Sequence, residues 1–237
     1  MNSAQPRRRL ERELRFLRNR FSPEGYLGLH LTIGAVLILF FGWCFSEIAE
    51  TLRLGIPPLD AQVTRWFHQH AQHGLTSAAR FFTFFGSLGF LAFVSLIAAV
   101  LFASQRAWDR LAEIAIVMLG GSLLNITLKH FFHRQRPVLE NPLVTLSSYG
   151  FPSGHTMGAT LFYGLLALIA ARAIRRWRLR VVPFVVASLI VALIGTTRIY
   201  LGAHYLTDVL AAIAAGVVWL AFSWTAVETF RRRRRAR

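Results

Sequence analysis

The sequence predicts an all-α protein, a six-span transmembrane helical bundle with a chemical site at its outer membrane face. Three observations predict it. Apolar residues make up 54% of the 237 residues and arrive in six blocks, each near the ~20 residues that cross a bilayer as a helix. Twenty of the 27 basic residues fall in four segments that six spans place on one side. The polar residues that break the apolar pattern fall on the other side.

Residues 1–26 carry seven arginines among apolar residues, the pattern of a basic amphipathic helix lying on an anionic leaflet. The charged stretch is long and the next apolar block is long enough to span, which argues against a cleaved signal peptide. Spans are expected at about 27–47, 84–104, 111–131, 155–173, 182–199 and 204–227. Helices are the reading for such blocks, because hydrocarbon offers no water to unpaired backbone groups. Residues 27–230 thus form one six-helix domain, and 231–237 form a basic tail that anchors the last span. The loops at 105–110 and 174–181 are short and basic, hence cytoplasmic with both termini. The segments 48–83, 132–154 and 200–203 face outward.

A net charge of +16 invites a nucleic-acid reading, yet the arginines are split among separate segments rather than spread over one face with stacking aromatics. No nucleic-acid partner is expected; membrane lipids are. Cys44 is alone, so there is neither a disulfide framework nor a thiolate metal site. The run His68-Gln69-His70-Ala71-Gln72-His73 has no carboxylate nearer than Asp60 and lies beside Trp66 and Phe67. It reads as an interfacial segment rather than a metal site. No sequence feature bears on oligomeric state.

Three polar patches converge on the outer side. The first holds Lys129, the only lysine in a chain with 26 arginines, followed by Arg136-Pro137. A lone ammonium among guanidinium groups suggests a need for a compact point charge. The second is Pro152-Ser153-Gly154-His155, a helix start. Ser153 suits the N-cap, Gly154 lets a ligand approach the backbone, and the first amides make an anion site. The third is Thr197-Arg198 with His204 and Asp208. Four residues apart, His204 and Asp208 share a helix face, and a carboxylate beside an imidazole fixes its tautomer and leaves the other nitrogen free to react. Snorkelling to headgroups explains single cations. It does not explain three cations accompanied by two histidines and a carboxylate.

Lys129-x6-Arg136-Pro137, Pro152-Ser153-Gly154-His155 and Thr197-Arg198-x5-His204-x3-Asp208 resemble the three signature motifs of the type 2 phosphatidic acid phosphatase superfamily. They are in order and span about 80 residues; Thr197 stands where that family usually has serine, and it keeps the hydroxyl. The resemblance implies a lipid phosphate or pyrophosphate phosphatase of a bacterial inner (plasma) membrane. It implies that His204 attacks phosphorus to form a phosphohistidine, that Asp208 orients its ring, and that His155 protonates the departing oxygen. Lys129, Arg136, Ser153, Gly154 and Arg198 would hold the phosphoryl oxygens. No metal or other cofactor is expected, because three cations and a helix N-terminus supply the positive field that metals supply elsewhere. A transporter would place polar residues at several depths along a pore, whereas these cluster at one face. A non-catalytic lipid-phosphate-binding protein would not need both histidines and Asp208.

Overall fold

The computed structural model describes residues 29–235 apart from Asn141 and Thr145. The expected interfacial helix at 1–26 lies outside the described residues. Helix α1 (Leu29–Thr51) is followed by α2 (Pro58–Gln69), α3 (His73–Phe84) and α4 (Leu88–Ser104). Next come α5 (Trp108–Ala115), a π-helical turn (Ile116–Gly120) and α6 (Gly121–Phe132), then α7 (Gly154–Ala173), α8 (Val182–Tyr200) and α9 (Leu206–Arg235). Six helical stretches are long and apolar enough to cross a bilayer: Leu29–Thr51, His73–Ser104, Trp108–Phe132, Gly154–Ala173, Trp177–Tyr200 and Leu206–Arg232. The protein is an all-α membrane bundle. Its rim exposes Leu39, Leu88, Leu119 and Leu189, side chains that lipid rather than water would cover.

The structure departs from the expected layout between residues 48 and 83. That segment holds two helices instead of a loop. Pro58 begins α2 at a position where its missing N–H costs nothing, and Asp60 in the first turn suits the helix dipole. α3 and α4 together make the second span, broken at Phe85–Ser87. The Ser87 hydroxyl caps α4 by accepting from the Phe90 N–H at 3.3 Å. At Gly86 a Cβ would lie 2.6 Å from Ile194, so the break lets the chain run close against α8. α9 also runs beyond its expected end, through the arginine run to Arg235. Arginine is a good helix former, and Arg232 pairs with Glu228 one turn back at 3.0 Å.

α7 and α9 form the centre of the bundle. Val117, Met157, Leu161, Leu165, Ala212 and Ala215 pack there as one buried cluster. Hydrophobic burial does little to drive helices together in lipid, so close van der Waals contact must do so. Glycines permit it: a Cβ on Gly121 would sit 2.2 Å from Leu161, and one on Gly216 2.9 Å from Thr160. At the arginine-rich end, buried Glu113 of α5 takes both terminal nitrogens of Arg172 from α7 at 3.2 Å and Arg231 from α9 at 2.9 Å. That carboxylate joins three spans. The three motifs meet at the opposite end.

Candidate active site

Local structure places each motif residue. Lys129 lies in the last turn of α6, which ends at His133 in a left-handed conformation (φ 47°) and turns the chain toward Arg136. Ser153 occupies the N-cap position of α7, but its side chain does not cap the helix. It accepts a hydrogen bond from the Thr156 hydroxyl at 3.0 Å instead. The Ser153 N–H donates to the Asp208 carbonyl at 3.1 Å, which fastens the second motif to the third. Arg198 lies in the last turn of α8, and a turn through Gly202 (φ +67°) leads to His204.

His204 precedes α9 rather than lying inside it, so its relation to Asp208 differs from the one expected. Asp208 is the third residue of α9 and accepts the Tyr205 N–H at 2.9 Å, the backward half of a capping box. The same oxygen, Oδ2, lies 3.5 Å from His204 Nδ1. Nδ1 has no side-chain hydrogen-bond partner among the described residues, and the Gly150 backbone also interacts with the ring. On the far side of the ring, Arg136 Nη1 is 3.1 Å from His204 Nε2. A guanidinium only donates, so Nε2 accepts and the ring proton belongs on Nδ1, facing Asp208. Burial, then the charges of Arg136, Arg198 and Lys129, hold the His204 pKa well below the usual histidine value. The buried ring is therefore neutral, with the Nε2 lone pair turned toward the cations.

The site sorts its charges. Arg136 donates to the carbonyls of Ser148 and Ala203, both at 2.7 Å, and to the Ser148 hydroxyl at 2.9 Å. Lys129 Nζ donates to the Tyr149 carbonyl at 2.6 Å. Arg198, nearly fully buried, gives Nη1 to the Thr83 hydroxyl at 3.2 Å, and its Nε has no partner among the described residues. None of these three cations forms an ion pair with a carboxylate of the described residues. Arg134, two residues before Arg136, takes both carboxylates of this region: Asp60 at 2.8 Å and Asp208 at 2.5 Å. Burial draws the Arg136 pKa below its ordinary value, as expected for a desolvated cation lacking a full counter-charge.

All eight residues singled out by sequence belong to this one end of the bundle. His155 is within electrostatic reach of Arg198, His204, Arg136 and Lys129. At Gly154 a Cβ would point between Asn125 Oδ1 (3.3 Å) and Lys129 Cε (3.9 Å), so a side chain there would crowd the cations. Sequence reasoning gave no role to Asp60, Arg134, Thr83 or Tyr149. A signal existed for Asp60, the one carboxylate between Glu50 and Asp109, just after the Pro57-Pro58 pair.

The sequence profile of the PAP2 superfamily matches residues 110–232, which contain every motif residue. The chain belongs to the PAP2 superfamily. This PAP2 protein is 34% identical over 138 residues to phosphatidylglycerophosphatase B of Bacillus subtilis, covering 57% of this chain and 67% of that one. It is 30% identical over 122 residues to lipid A 4'-phosphatase of Porphyromonas gingivalis, covering 44% of this chain and 48% of that one. The crystal structure of a transmembrane PAP2 type phosphatidylglycerolphosphate phosphatase from Bacillus subtilis superposes with a TM-score of 0.70 at 28% identity, over 83% of this chain and 96% of that one. Aquifex aeolicus LpxE shares the fold, with a TM-score of 0.55 at 24% identity over 71% of this chain and 96% of that one. The family expected from the motifs is the family found.

Proposed function

We propose that this PAP2 protein hydrolyses the phosphate of a membrane lipid through a phosphohistidine on His204. The charge sorting carries the reading: Lys129, Arg136 and Arg198 surround a neutral imidazole while Arg134 takes up the nearby carboxylates. A phosphoryl group supplies the anion those cations lack, and its transition-state charge falls where they point. His204 Nε2 forms a bond to phosphorus as the bond to the lipid oxygen breaks, and His155 gives its proton to that oxygen. Water, deprotonated by His155, then attacks phosphorus, the P–N bond breaks, and inorganic phosphate leaves. Asp208 stabilises the charge that His204 gains. Ser153 and the Gly154 amide hold phosphoryl oxygens. These roles need no metal.

A cleft of about 730 Å³ supports a lipid substrate. It is lined by Leu88, Leu91, Ile114, Met118 and Leu119 and reaches Lys129, Gly154 and His155. Its size is that of a small-molecule site, and its apolar walls suit a hydrocarbon chain whose phosphate lies at the cations. The arginine distribution supports a site on the periplasmic or extracellular face, cytoplasmic termini, and a cytoplasmic tail at 231–237. Such walls select chains weakly, so phosphatidylglycerophosphate, phosphatidic acid, undecaprenyl pyrophosphate and lipid A phosphates all belong in the test. Purified protein in detergent should release phosphate from at least one of them with a strong chelator present. Release from none, or release abolished by the chelator, rejects the reading.

The acid limb of the pH profile follows from the His204 environment. A lowered pKa keeps the imidazole neutral as pH falls past 6.5, so His204 remains nucleophilic there and is lost only well below that value. The alkaline limb is set by loss of the proton that His155 gives to the leaving oxygen. The profile of kcat/KM should be bell-shaped with its acid limb well below 6.5. An acid limb at or above 6.5 would contradict the assignment.

A further inference from the structure

Asp60 lies in the extramembrane helix α2, outside all three motifs, yet it is fully buried against them. Its Oδ1 accepts the Thr207 N–H at 3.0 Å; its Oδ2 accepts the Thr207 hydroxyl at 2.5 Å and Arg134 Nη2 at 2.8 Å. Arg134 Nη1 donates to Asp208 Oδ1 at 2.5 Å and to the Thr207 hydroxyl at 2.7 Å. The guanidinium lies over the Tyr205 ring, 4.6 Å from its centroid. Arg134 is thus held by two carboxylates, a hydroxyl and a ring. The oxygen of Asp208 that Arg134 does not hold is the one facing His204.

Building on the phosphohistidine reading, we propose that Asp60 and Arg134 are positioning residues for that reaction, a relay from α2 that orients Asp208 and sets the charge it presents to His204. The electrostatic argument concerns balance. A lone guanidinium in contact with Asp208 would neutralise the carboxylate when His204 needs it as a counter-charge. With Asp60 on its other side, Arg134 is already paired, and the three groups together carry one negative charge. Asp208 keeps its orientation without forfeiting its field. Tyr205 fits the same picture: burial, opposed by Arg134 and supported by Asp208 and Asp60, raises its phenol pKa, so it stays neutral between them. Among the described residues no side chain of the network hydrogen-bonds a phosphate-holding cation, although the Asp208 charge reaches Lys129 and Arg136. Substitutions that leave Asp208 in place should therefore act on the chemical step more than on lipid binding.

Kinetics of full-length Asp60→Asn and Arg134→Gln enzymes test this. His204 faces Asp208, the charges of Arg136, Arg198 and Lys129, and the Gly150 backbone. Of these only Asp208 is held by the Arg134 side chain, so both changes should reach the ring chiefly through Asp208. Outer-shell partners are commonly worth ~10–100-fold in activity. The expected result is a fall in kcat of that size in each variant, with KM within about twofold of the parent. The acid limb of kcat/KM should move in opposite directions: down in Asp60→Asn, which removes negative charge, and up in Arg134→Gln, which removes positive charge. Retained kcat in both variants, or matched rises in KM with an unmoved acid limb, overturns the relay while leaving the phosphatase reading intact. If the parent enzyme itself releases no phosphate, the phosphatase reading is what fails. Should Asp60→Asn not fold, Thr207→Val removes the shared hydroxyl without altering charge. It must lower kcat alone, and a rise in KM in its place rejects the proposal.

Discussion

If His204 is the nucleophile proposed above, replacing it by alanine should remove phosphate release and the trapped phosphoenzyme together, with a loss of at least ~10³-fold in kcat. No other group at the site can take over. His155 is the second imidazole there, but its proposed role is to carry the proton of the leaving oxygen and of the water, not to bond to phosphorus. Asp208 is occupied by Arg134 and the Tyr205 N–H. His130 is the informative control, because its Nδ1 is bound to the Ile126 carbonyl at 2.8 Å on the outer face of α6. His130→Ala should form the phosphoenzyme at the parent rate. The measurement is rapid quench with a lipid substrate carrying labelled phosphate. Label retained on the alanine variant at residue 204 would place the nucleophile elsewhere.

The second large effect is expected at Arg136, where even lysine should cost ~10²–10³-fold in kcat/KM. Lysine keeps the charge and loses the planar fork. Arg136 uses that fork on several partners at once: the Ser148 carbonyl and hydroxyl, the Ala203 carbonyl and His204 Nε2. It therefore joins the loop after α6 to the turn before α9 while presenting one edge to the imidazole. An ammonium satisfies fewer of these partners and fixes no ring orientation. Steady-state kinetics of Arg136→Lys over a substrate titration checks this. A variant within threefold of the parent would mean that charge alone matters at this position.

How much of this was legible in the sequence depends on the range of the forces involved. Five of the six spans follow from the lengths of apolar blocks, because the bilayer imposes the same requirement on each helix irrespective of its neighbours. The second span starts earlier than expected: His73–Phe84 mixes serine, threonine and arginine with phenylalanine, and it packs against α8. The motif residues were legible because ionisable groups near a membrane are costly to place without a use. Asp60 was not. Its meaning comes from Arg134 and Thr207, 74 and 147 residues away along the chain. Arg134 resembled another interfacial arginine until its two carboxylate partners were known. His204 was expected within a helix because the i, i+4 spacing to Asp208 suits one. The contact survives at the helix start because a capping carboxylate reaches backward.

The tight crossings at Gly121 and Gly216 carry a consequence for how this bundle tolerates change. Where lipid solvates both separated and assembled spans, cohesion rests on how nearly two backbones approach. A single methyl group at either notch would act as a wedge between α6 and α7, or between α7 and α9, and prise apart the scaffold on which His155 and Asp208 are mounted. Mutational fragility in this protein is therefore written partly in missing atoms, at sites deep in the hydrocarbon and remote from any charge.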